Sequence, residues 1–135
     1  MSNFPALDCQ QILFRAVLLK DWIRPDRSIK WQAFKRFRKD YDGVSLFFSR
    51  QGAVENLREP YFGLMSVHVG RIREINLQGI PLDVIRNEPE HAYIHEVPCP
   101  DHIDDEDEKL RRTEAMRYLC DRIAKEAARL IPEGE

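Results

Sequence analysis

The sequence predicts an α+β fold: a small mixed or mostly antiparallel sheet of five to six strands, with a long C-terminal helix packed on it. Two observations carry this. Short apolar or alternating segments recur between residues 12 and 97, each closed by Gly, Pro or Asp turn chemistry, as half-buried strands require. After them the period changes: Met116, Leu119, Cys120, Ile123, Ala127 and Leu130 follow the i, i+3, i+4, i+7 spacing of one helix face. A chain of 135 residues with 43% hydrophobic content is expected to form one globular domain, residues 1–135. At that size about two thirds of the unfolded chain's surface is buried.

The first strand is read over residues 12–19, where Arg15 interrupts the run Ile12-Leu13-Phe14 and Ala16-Val17-Leu18-Leu19. A charge in an apolar interior needs compensation, so Arg15 is expected to meet a carboxylate or to face a cleft that takes an anion. Pro25 marks a turn, after which Ser28 is expected to cap a helix over about 28–39 with Ile29, Ala33 and Phe37 inward. Residues 43–49, entered through Asp42-Gly43, alternate as a second strand with Val44, Leu46 and Phe48 on one face. A short helix is read over 52–58, stopped by Pro60. A third strand follows over 64–69, with Met65, Val67 and Val69 apolar and Ser66 and His68 opposite. Short strands are expected at 73–77 and 82–85, separated by Gly79 and Pro81, and another at 91–97, ended by Pro98 and Pro100. Six of the eight residues 101–108 are acidic, and they lead into the C-terminal helix at its positive end.

Composition removes several function classes. A formal charge of -2 and a pI near 6.1 argue against a dedicated nucleic-acid binder. Cys9, Cys99 and Cys120 are odd in number and hold no CxxC pair, which fits a reducing, cytoplasmic location; Cys99, between two prolines, is the one expected to be exposed. No apolar stretch approaches the roughly 20 residues that cross a bilayer, and residues 1–5 lack the basic start and apolar core of a signal peptide. His91, His95, Cys99, Asp101 and His102 look like a ligand set, but on a strand rising about 3.3 Å per residue His91 and His95 stand about 13 Å apart, so no metal is expected. No GxSxG elbow is present, and whether the chain is an enzyme is left open.

The segment from Trp22 to Tyr41 interleaves Arg24, Arg27, Lys30, Lys35, Arg36, Arg38 and Lys39 with Trp22, Trp31, Phe34, Phe37 and Tyr41. The interleaving is that of a phosphate-binding surface with stacking groups, a nucleic-acid module using Lys30 to Lys39; the preferred reading is an amphipathic helix whose aromatics enter the core. Its basic face, Lys30 to Lys39, would then serve as the contact surface of an interaction module for an acidic protein partner.

Arg15 on the opening strand, then Leu46-Phe47-Phe48-Ser49, then Ala53 and Glu55, resemble in order the ADP-ribosyltransferase-like fold, in particular its RES-domain branch. The resemblance covers residues 12–69. Tyr41-Asp42-Gly43-Val44 stands where that family has Gly-Arg-Trp-Asn, and Cys99 follows Val97-Pro98 where the family has a serine. The resemblance implies an NAD-processing domain, with NAD as substrate. In it Arg15 would hold phosphate or ribose oxygens, Glu55 would bond a ribose hydroxyl and stabilise charge as nicotinamide leaves, and Ser49 would orient the ribose. Tyr61, His68 or His91 would stack on nicotinamide or assist proton transfer.

Overall fold

A computed structural model describes residues 4–35, 43–55, 57, 60–95, 97–101 and 103–132. Its main sheet is built from β1 (Ile12–Val17), β2 (Val44–Phe47), β3 (Gly63–His68), β6 (Asp83–Glu88), β7 (His91–His95) and β8 (Ala128–Leu130), in the order β6-β7-β2-β1-β3-β8. Every neighbouring pair is antiparallel. A separate two-stranded ribbon joins β4 (Asn76–Leu77) to β5 (Ile80–Pro81). Three helices complete the fold: α1 (Arg50–Val54), α2 (Val69–Arg73) and α3 (Glu106–Arg122). The α+β architecture with a long C-terminal helix is thus the one the periodicities predict.

Alternation along the strands divides the sheet into two unlike faces. Register places Leu13, Arg15 and Val17 beside Val67, Met65 and Gly63, and Val44 and Leu46 beside Ile94 and Ala92. The apolar members of this face are fully buried, and they share one core with Phe34, Met116, Leu119, Cys120 and Ile123. The opposite face carries Ile12, Phe14, Phe47, Ser66, His91 and Tyr93, only partly buried and partly roofed by α1. Gly43 opens β2 with φ +153, and a Cβ there would stand 2.1 Å from the Ile94 carbonyl oxygen, so a side chain at this entry would force the strands apart.

The acidic run does what its position predicts. Asp105 caps α3 by accepting from the Asp107 amide, and Glu106, Asp107 and Glu108 fill the first turn, where carboxylates complement the helix dipole. At the other end Ile123–Ala127 widens into a π-helical turn, and the chain then leaves the helix as β8. Leu130, the last member of the predicted helical stripe, is therefore a strand residue, paired with Met65.

Other expectations are corrected. β1 ends at Val17, and Leu19 is exposed. The short helix runs over Arg50–Val54 rather than 52–58, because Ser49 caps it early by accepting from the Gly52 amide. Arg73 closes a helix rather than opening a strand: the His68 side chain caps α2 directly after β3, so the period changes within one residue. No continuous helix covers 28–35. Ser28 caps nothing; it bonds Asp26, while Ile29 pairs with Ile23 across a tight hairpin and Trp31–Phe34 forms one 3₁₀ turn. Ile29 and Ala33 are buried there, as the inward stripe requires, Phe34 is buried beside them, and Phe37 with Arg36, Arg38 and Lys39 lies outside the described residues. Cys9, not Cys99, is the exposed cysteine.

Candidate functional site

Arg15 lies on the helix-covered face, where two of its hydrogen bonds go to backbone carbonyls. Its Nε donates to the Ala33 carbonyl at 2.9 Å and its Nη1 to the Ser45 carbonyl at 2.8 Å, with Phe34 packed 6.0 Å from the guanidinium. Bonds from a charged donor to buried acceptors are worth about 1.5–3 kcal/mol each. Arg15 therefore ties β1 to β2 and to the 3₁₀ turn that follows the hairpin. Beneath it, Cys120 donates to the Phe34 carbonyl, and burial pushes its thiol pKa up to about 12, so it packs as a neutral apolar group.

The other residues that the resemblance singled out are placed elsewhere. Ser49 and Glu55 stand at opposite ends of α1, the first as its cap and the second, exposed, just past its end. This helix sits on the face opposite Arg15: Arg50 covers the Phe14 ring at 5.8 Å, and a Cβ at Gly52 would lie 3.7 Å from Phe47. The sheet thus separates Arg15 from Ser49 and Glu55. His91 faces Asn87 Oδ1 at 2.7 Å and sets its ring edge on Phe47. Among the described residues no His, Cys, Asp or Glu group converges on a metal position. Among the described residues no helix is long and apolar enough to cross a membrane.

Tyr61 is the exception, because it opens into a cleft. A cavity of about 560 Å³ lies between α1, the segment leading into β3, and the end of β8, lined by Arg27, Arg50, Tyr61, Phe62, Ile131 and Pro132 among others. Tyr61 and Phe62 are 48% and 50% exposed, a large aromatic surface left in water. Phe62 is fixed through its amide, which donates to the Val17 carbonyl at 2.8 Å. Smaller cavities adjoin: one shares Ile23, Arg27 and Phe62 and adds Lys20 and Arg24, and another shares Arg50, Ile131 and Pro132 and adds Arg129.

Charge in this region is one-sided. The described lining residues of these cavities include Lys20, Arg24, Arg27, Arg50 and Arg129 and no carboxylate. Arg24 is engaged by Ser28 Oγ and the Ile29 carbonyl, whereas the side chains of Lys20, Arg27 and Arg129 have no hydrogen-bond or ion-pair partner among the described residues.

Arg27 is held at a conformational cost. The amide of Arg27 donates to the Arg24 carbonyl across Pro25 and Asp26, and Arg24 and Ser28 close the hairpin behind it. This is a tight turn followed by a left-handed residue, a position that usually takes glycine, yet the residue is an arginine with φ 71. A side chain there costs about 1–2 kcal/mol. Asp26 stabilises the turn by accepting from the Ser28 hydroxyl at 2.6 Å and the Ser28 amide at 2.9 Å. These bonds, with Arg24 nearby, hold its pKa below the ordinary carboxylate value.

The sequence reading reached Tyr61, and Arg27 as one of the cations of the basic segment, but missed Phe62, Arg129 and the apolar end at Ile131 and Pro132. One local signal was present: two adjacent aromatics, Tyr61-Phe62, directly after Pro60 and before a strand. No protein-family model, curated protein or solved structure matches the chain.

Proposed function

We propose that this chain is an interaction module that receives a phosphate-bearing partner in the cleft beside β8. The observation that carries the reading is Arg27. A strained left-handed backbone is retained with an exposed cationic side chain at the mouth of a cleft free of carboxylates among its described lining residues. Strain of this kind is kept where the side chain has work to do, and a planar guanidinium suits phosphate oxygens through paired donors. Exposed Tyr61 and Phe62 supply the apolar contact that turns a charged patch into a specific one. The contact surface is thus the cleft rather than a basic helix over 28–39.

NAD processing is favoured by one placement only: Tyr61 lines the cleft, and Glu55 follows Val54, another lining residue. In that reading the cleft arginines hold the pyrophosphate and Arg15 takes no part.

Retention on phosphocellulose tests the first reading. The wild type should be held at low salt, and Arg27→Gln with Arg129→Gln should elute at clearly lower salt. Flow-through of the wild type, or elution unchanged by the double substitution, would remove the reading. Incubation with NAD followed by chromatography for nicotinamide tests the second. Release that is lost in a folded Glu55→Ala protein would establish NAD processing, and no release would leave binding alone.

A further inference from the structure

Resting on the phosphate-binding reading of this cleft, we infer that its ligand is single-stranded nucleic acid, bound by base stacking on Tyr61 and Phe62 and by phosphate contacts to Arg27, Arg129 and Lys20.

The shape of the cationic region comes first. The central cleft is continuous with its neighbours through shared walls: Ile23, Arg27 and Phe62 on one side, Arg50, Ile131 and Pro132 on the other. Cations therefore recur along a track from Lys20 through Arg27 and Arg50 to Arg129, and Arg27 and Arg129 meet again with Lys125 around a further cavity of about 330 Å³. A track of this kind follows a polyanionic backbone.

The aromatics then select among polyanions. Tyr61 and Phe62 are consecutive and half exposed at the bend that leads into β3. Both rings line the central cleft, and Phe62 also forms a wall of the Lys20 cavity. Two ring faces in a cationic track match unstacked bases, which every sequence presents; a duplex hides its bases, and an acidic peptide has no such face.

Net charge does not oppose this, because the charge is segregated. The acidic first turn of α3 opens a helix of 17 residues, so it lies about 21–24 Å from the far end at 1.5 Å per residue, roughly three screening lengths of about 8 Å at physiological salt. Among the described residues, the two acids at the C-terminal end of α3 and in the turn that follows it are engaged: Asp121 pairs with Lys125 and Glu126 with Arg122. The cleft therefore presents a positive field to an approaching strand although the chain as a whole is at -2.

The test is fluorescence anisotropy of the full chain with a labelled mixed-sequence single-stranded RNA or DNA of about a dozen nucleotides. Polyphosphate, poly-glutamate and the matching duplex serve as competitors. The inference predicts that the single strand binds and that duplex and poly-glutamate compete poorly. Affinity should fall about 10-fold in Tyr61→Ala and again in Phe62→Ala. The log-log salt slope should drop by about 1.4 in Arg27→Gln with Arg129→Gln, at roughly 0.7 for each phosphate that a single strand no longer has neutralised. Tyr61→Phe, which keeps the ring, should bind as the wild type does. If polyphosphate and the single strand bind equally and Tyr61→Ala is silent, the stacking inference is overturned while the phosphate cleft stands. Preferential binding of poly-glutamate would assign the cleft to an acidic protein instead. If no anion binds at low salt, the inference and the reading beneath it both fall.

Discussion

Two arginines, one under the sheet and one at the mouth of a cleft, behave oppositely. Arg15 is the conspicuous one in the sequence, a charge inside an apolar strand, and its guanidinium is drawn inward to the Ala33 and Ser45 carbonyls. Arg27 is in the sequence only one of seven cations in a basic segment, yet its backbone is strained and its side chain stands at a cleft mouth. The contrast teaches that a partly buried charge in an apolar strand can be a fastening between backbone segments. The functional candidate is the residue that folding would rather replace with glycine. Stability and binding should therefore separate cleanly between the two.

The largest expected effect is at Arg15. Arg15→Ala leaves two inward carbonyls without their donor and should cost about 4 kcal/mol, read as a drop in denaturant midpoint. If this variant loses less than about 1 kcal/mol but no longer binds polyanions, the two arginines have exchanged roles and the comparison breaks. The helix over that same face gives a reference for core loss: Leu119→Ala, at 3% exposure, should cost about 3 kcal/mol. A loss below about 0.5 kcal/mol would show that α3 does not seal the sheet.

A smaller effect of opposite sign is expected at Arg27. Arg27→Gly relieves the left-handed strain and should stabilise the fold by about 1 kcal/mol, while weakening retention on an anionic matrix. A variant that is both less stable and equally well retained would show that Arg27 serves the hairpin alone. The smallest effect is the pH dependence of the same hairpin. Because bonds from Ser28 lower the Asp26 pKa in the folded chain, its contribution is present above the ordinary carboxylate value and is lost as pH falls through the folded pKa. The wild type should thus melt above Asp26→Asn at about pH 7, with the gap closing below about pH 4. A gap unchanged down to about pH 2 would mean that the carboxylate is not the anchor.

How much of this was legible follows from the reach of each signal. β1, β2, β3, β7 and α3 are written in local periods, and each is found within two residues of its expected span apart from the ends of α3. β8 was hidden because Leu130 continues the spacing of the helix stripe, and only the π-helical turn at Ile123–Ala127 throws it out onto the sheet edge. α2 was hidden because a histidine cap follows a strand without an intervening turn residue. The described part of the basic segment departs from the helix expected from Ser28 because Ile29 pairs back to Ile23 and only Trp31–Phe34 turns, as a 3₁₀ helix. The cleft itself has no local signature: Arg27, Tyr61 and Arg129 are far apart in sequence, and the pairing of β3 with both β1 and β8 brings them together. Nor does any residue pattern announce that an arginine will occupy a left-handed position.

The most direct test of the account is an amide chemical-shift titration of the labelled full chain with tripolyphosphate. The account predicts shifts concentrated at Arg24 to Ser28, Phe62, Gly63, Arg129 and Ile131, with Arg15, Ala33 and Ser45 still. Shifts centred on Arg15 and its two carbonyl partners, or no shifts anywhere, would contradict it.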